Sequence, residues 1–204
     1  GLKGSLREQC ATWEREVAVA PDDVEAVLAE LMSAAWDQTD QSLLPIPAPK
    51  SDGMRASTVR GVSYNARCNY LHRQVEINVD PVLTRPGLRH LAVHEGYPGH
   101  YVQFKTRETG ATEGWAAADV LLSVVNTASS SVFEGIADTG LAMLGWDEHI
   151  DDRIQGLLTR HRAGIGTIAA WKLHAEGQSR EDVRVWLAGA ALTGGEGWVD
   201  NRLG

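Results

Sequence analysis

The 204-residue chain is short of cysteine, has no run of basic residues and has no long apolar stretch. Each shortage removes a class of protein. Its two cysteines, Cys10 and Cys68, lie 58 residues apart and outside any C-x-x-C, so neither a disulfide framework nor a zinc ribbon is supported. Lysine and arginine number 19 against 27 aspartates and glutamates, a net charge of −8, and they form no cluster. Phosphate neutralisation therefore has no footprint, and no nucleic-acid partner is expected. Polar residues interrupt every apolar run well before the roughly 18 positions a membrane span needs, so no membrane partner is expected either. No charged-then-apolar leader opens the chain, and a cytoplasmic location is the expectation. The chain begins at Gly1 without a methionine and stops at Gly204, and both ends read as cut, which makes a fragment or processed product the expectation. Nothing in the sequence sets an oligomeric state.

What is present is periodic. Over residues 5–19, Leu6, Cys10, Trp13 and Val17 recur at helical spacing, and Pro21, Asp22 and Asp23 open a second helix whose stripe is Val24, Val27, Leu28, Leu31, Ala35 and Trp36. Three alternate prolines in 44–50 bar a helix or a central strand there. Residues 73–79 alternate polar and apolar as a half-buried strand does; 54–63 is a weaker strand, and 65–72 is read as their connection. Helices are expected at about 84–95, 99–109, 115–144, 147–176 and 180–191, with Asp147 and Ser179 as N-caps and Gly110, Gly145 and Gly177 at helix ends. The fold class expected is mainly α, with a small antiparallel β element before the helix that carries the chemistry. Residues 1–204 read as one domain: a helical hairpin (1–43), a Pro-rich linker (44–53), a small sheet (54–80) and a helical site region (81–204).

The chemistry concentrates at 94–100, His-Glu-Gly-Tyr-Pro-Gly-His. Zinc needs imidazoles converging from one side, with a carboxylate near the activated water. The common helical solution spaces the two histidines by four; here His94 and His100 are six apart. On a straight helix six residues amount to about 600° of turn and about 9 Å of rise, so the pair could not chelate one ion. Pro98 supplies the remedy, because it lacks an N–H and clashes with the carbonyl of His94. Gly96 and Gly99 flank it and permit unusual backbone angles. The helix is therefore expected to break at 96–99 and restart near His100, swinging His100 back towards His94.

The stretch 94–103, His-Glu-Gly-Tyr-Pro-Gly-His-Tyr-Val-Gln, resembles the H-E-A-Y-P-G-H-H-x-Q signature of the bacterial family filed as domain of unknown function 885, which is gluzincin-like. Phe-Glu-Gly-Ile-Ala at 133–137 is similar to that family's E-G-x-A element, and Lys-Leu-His at 172–174 with 179–182 is similar to a later one. The resemblance covers about residues 65–192, with family members running past both ends. It departs at Gly96, Tyr101, Thr139 and Gly140. The resemblance implies one zinc ion held by His94, His100 and Glu134, Glu95 as general base, and His174 as a catalytic contact to substrate or oxyanion. Asp138, one helical turn after Glu134, is a candidate to orient a ligand histidine or else lies on a solvated face.

Other assignments compete. His90 and His94 are four apart and could chelate on an unbroken helix. Tyr97 and Tyr101 are candidates for oxyanion donors or for packing, and His161 for a polar face. Arg67 and Arg73 are candidates to bind a substrate carboxylate, and strand 73–79 to pair with an extended substrate. The function expected is zinc-dependent hydrolysis of a small peptide or other amide substrate. The alternative is a non-catalytic helical domain that keeps the motif for structure. A di-iron carboxylate protein ranks lower, because no Glu-x-x-His occurs.

Overall fold

The computed structural model describes residues 2–122, 128–192 and 194–203. Helix α1 (Leu6–Glu16) begins at a reciprocal cap: the Ser5 hydroxyl accepts from the Glu8 amide, and the Glu8 carboxylate accepts from the Ser5 N–H at 2.7 Å. Pro21, preset to helical φ, opens a 3₁₀ turn that runs into α2 (Val24–Ser42). The stripe read from the spacing faces inward: Val24, Leu28, Leu31, Ala35 and Trp36 are buried and Val27 partly so. The two helices serve different neighbours. Helix α2 packs on the sheet and the site helix. Helix α1 instead sends the Trp13 indole N–H to Asp151 at 2.8 Å and the Glu14 carboxylate to Arg162 at 2.5 Å.

Three short strands follow: β1 (Arg55–Val59), β2 (Ala66–Asn69) and β3 (Gln74–Asn78). Their order is β1-β3-β2, with β1 parallel and β2 antiparallel to β3. Two expectations change here. The sheet is mixed rather than antiparallel, and 65–72 is not a plain connection, because its residues 66–69 form an edge strand. The alternation in β3 marks the wrong kind of strand: as the central one it buries Glu76 and Asn78 as well as Val75 and Ile77. Glu76 tolerates burial because Tyr64, Arg67 and Asn69 all donate to its carboxylate.

The remaining elements are α3 (Arg85–Leu91), α4 (His100–Glu113), α5 (Ala128–Asp138), α6 (Gly140–Met143), α7 (Ile150–His174), α8 (Arg180–Ala190) and α9 (Gly195–Leu203). The helix expected over 115–144 is divided into a 3₁₀ turn (Ala118–Leu121), α5 and α6; residues 123–127 lie outside the described residues. Ser179 caps α8 as read, but α7 is capped by His149, whose imidazole accepts from the Asp151 amide, and not by Asp147. Helix α4 runs through Gly110 and ends at Gly114, whose φ of +80° suits glycine. Two apolar clusters result. The larger joins α2, the sheet, α3 and Tyr97 and Tyr101; the smaller joins α7, α8 and α9 through Ile165, Val183, Leu187 and Trp198. The protein is mainly helical with a small sheet. Among the described residues no helix is long and apolar enough to cross a membrane.

Candidate metal centre

The site is built on a failed helix. Thr84 caps α3 by accepting the Gly87 amide at 3.0 Å, and Pro86 sits in its first turn, where a missing N–H costs nothing. Past Leu91 the backbone widens into a π turn (Ala92–Gly96), with the Tyr97 amide reaching the Ala92 carbonyl five residues back. The chain then breaks across a cis Tyr97–Pro98 peptide and restarts as α4 at His100. The break falls where Pro98 and its neighbours place it. Its glycines are not equivalent. At Gly99 an added Cβ would sit 1.9 Å from the His94 carbonyl oxygen and 2.4 Å from that of Val93, whereas at Gly96 it would meet nothing within 4 Å. Gly99 is there for close backbone approach; the freedom of Gly96 is not used.

This geometry brings His94 and His100 together, their rings 4.8 Å apart and nearly perpendicular. Glu134 of α5 completes the group: its Oε2 lies 3.3 Å from His94 Nε2 and its Oε1 3.4 Å from His100 Nε2. Donors about 2.1 Å from one tetrahedral ion lie about 3.4 Å from each other; each imidazole meets that spacing to a different oxygen of Glu134, and one ligand atom from each of the three residues lies within 4.8 Å of the others. Both histidines are largely buried, while Glu134 is open to solvent on one side. Burial, together with the neighbouring His100 and His90, holds His94 below the usual histidine range; Asp138 and Glu134 only partly oppose this. A neutral imidazole carries the lone pair that a metal requires.

Glu95 is buried beside this group, at 7% exposure. Loss of solvent raises its carboxyl pKa to about 7, against the pull of His100 and of a hydrogen bond from the Cys68 amide. That bond defines the neighbouring surface. In the β2–β3 ladder the Asn78 amide donates to Asn65, so by alternation the backbone groups of Ala66 and Cys68 point away from β3, along the free edge of β2. The unpaired strand edge beside the site is thus that of β2, not the strand at 73–79, which is bonded on both sides.

One residue of the motif gains a role that its sequence position did not disclose. The Gln103 side chain places Oε1 3.3 Å from His100 Nδ1, and its amide nitrogen donates to the Phe133 carbonyl at 2.9 Å. It therefore holds His100 with Nε2 facing inward, and it ties α4 to the residue before Glu134. Asp138 approaches the rear nitrogen of His94, Nδ1, to 2.9 Å. The approach is not aligned as a hydrogen bond, and Nδ1 is a buried polar atom without such a partner.

Other candidates fall elsewhere. His174 is exposed at the end of α7, whose Gln155 and Thr159 share a cavity lining with His90; fifteen residues beyond Thr159 is about 22 Å of helical rise, which leaves His174 outside the cluster. Tyr97 and Tyr101 are core residues packed against Trp36, one edge-on and one tilted, and the Tyr97 hydroxyl accepts from the Met54 amide at 2.6 Å. Arg67 is engaged with Glu76, and Arg73 with Asp52 over the Tyr70 ring. His161 faces the Ala190 carbonyl. Burial lifts the Cys68 thiol well above its usual pKa, which favours the thiol over the nucleophilic thiolate.

Fold and cluster together define a class: a mainly helical domain with a small mixed sheet and a two-histidine, one-glutamate group at a broken helix. No protein-family model, curated protein or solved structure matches the chain.

Proposed function

We propose that this chain is a zinc-dependent hydrolase of a peptide or other amide bond. One observation carries the proposal: His94 Nε2 and His100 Nε2 face the two oxygens of Glu134 at 3.3 and 3.4 Å, and one ligand atom from each of the three residues lies within 4.8 Å of the others. The resemblance of 94–103 to a gluzincin-like family supports it, and that resemblance alone supplies the substrate class. His94, His100 and Glu134 would hold a zinc ion, and the ion would supply Lewis acidity that lowers the pKa of water towards neutrality. Glu95, raised to about 7 and steadied by the Cys68 amide, is suited to take a proton from water and return it to the leaving amine. The outward backbone groups of Ala66 and the Cys68 carbonyl offer an extended substrate main-chain partners beside Glu95. Gln103 keeps His100 turned inward.

Zinc content measured by elemental analysis after dialysis tests the proposal. One ion per chain is expected, held more weakly in His100→Ala, with hydrolysis of unstructured peptides only by the zinc-loaded protein. A folded chain that takes up no zinc overturns it. Gln103→Ala is expected to weaken zinc binding by about 10–100-fold, the usual effect of removing an outer-sphere partner. Competition against a chelator reads that change, with the thermal midpoint as a control for folding.

A further inference from the structure

Nδ1 of His94 belongs to a second convergent group. It lies 2.9 Å from Asp138 Oδ1, and Nε2 of His90 lies 3.9 Å from that same oxygen. The three donor atoms lie within 4.8 Å of one another, on the opposite side of the His94 ring from Glu134 and His100. Nδ1 is buried and makes no aligned hydrogen bond, so its lone pair is available to a cation whenever the ring proton sits on Nε2. The group also has its own approach. His90 and Asp138 both line a cavity of about 490 Å³ that is walled on its far side by α7, with Asp147 at its lining. Asp152, also in that lining, is committed to Arg89 at 2.7 Å.

We propose that His90, His94 and Asp138 form a second position for a divalent cation, reached from the α7 cavity. Two imidazole nitrogens and one carboxylate oxygen suit zinc and its borderline neighbours such as cobalt and nickel. It does not depend on the hydrolase reading, because only His94 is shared. A neutral imidazole has one lone pair: a cation on Nδ1 leaves the proton on Nε2, and a cation on Nε2 leaves it on Nδ1. The two positions are therefore exclusive, and one ion moves between them by exchanging the nitrogen it holds. His90, four residues before His94 on α3, serves this second position and not the first.

Zinc titration of four proteins, with a chelating indicator as competitor, tests the assignment. The wild type is expected to bind one equivalent. The double variant His100→Ala/Glu134→Gln is expected to bind one equivalent more weakly. Adding His90→Gln or Asp138→Asn is expected to weaken that residual binding by about tenfold or more. Asp138 is exposed, so Asp138→Asn folds even if a change at His90 does not. A double variant that binds no zinc, or whose binding ignores both His90→Gln and Asp138→Asn, overturns the second position and leaves the first standing. A wild type whose affinity is unchanged in the double variant but lost on Asp138→Asn removes the first position and keeps the second. No zinc bound to any folded protein removes both.

Discussion

Glu95→Gln is expected to lower hydrolysis by about 10²–10⁴-fold, the span that a positioned general base contributes, while zinc content and folding stay intact. The side chain is buried beside the cluster and keeps the shape of its substitute, so no cavity opens. The carboxyl is poised near neutrality by loss of solvent, and the Cys68 amide holds it; a carboxamide can keep that acceptor bond through its oxygen but cannot take up a proton. The loss should therefore appear in kcat with little change in KM. Peptide hydrolysis by the zinc-loaded variant, beside its metal content and circular dichroism, is the measurement. A variant that retains full activity removes Glu95 from the chemistry; one that loses its zinc shows a structural role instead.

Gly99→Ala is expected to produce the largest loss of stability of any single methyl addition in this region. The new Cβ would stand 1.9 Å from the His94 carbonyl oxygen and 2.4 Å from the Val93 carbonyl oxygen. Both are backbone atoms in the π turn, so relief requires the turn itself to open, and His100 moves with it. A cost above about 4 kcal/mol is expected for such a forced backbone change, equivalent to a drop of about 8–16 °C in the thermal midpoint of a chain this size. Zinc affinity should fall in the same variant. Gly96→Ala is the internal control: its Cβ would meet nothing within 4 Å and its φ is ordinary, so the midpoint should hold or rise slightly. Calorimetry of the two variants decides the matter, and equal effects at both positions would contradict this account of the break.

Much of the local structure was legible because its causes are local. The stripe of α2, the cap at Ser179 and the break at Pro98 follow from spacing, a hydroxyl and a missing N–H, none of which needs a distant partner. Where distant partners intervene, the reading shifted. The alternation in β3 implied one wet face, but placement between β1 and β2 buried both faces, and Glu76 survives there only through donors from β2 and its approach. Residues 66–69 looked like a connection because four residues are too few to show a period. His149 displaced Asp147 as a cap because an imidazole also accepts from an amide. His174 had sequence likeness alone in its favour, and the length of α7 carries it away from the cluster.

The family resemblance of 133–137 pointed to Glu134; by itself, the sequence determined a mainly helical chain and the break between His94 and His100. Those depend on backbone restrictions and apolar period, which act within a few residues. The tertiary structure decided the rest. It set Glu134, 34 residues beyond His100, at 3.3 and 3.4 Å from the two imidazoles by way of the Gln103 tie to Phe133. It also turned the edge of β2 and the Cys68 amide towards Glu95 and gave Nδ1 of His94 a second group of neighbours. Convergence of that kind is set by how α3, α4, α5 and β2 pack against one another, and packing depends on the sum of many side-chain contacts that no single motif contains.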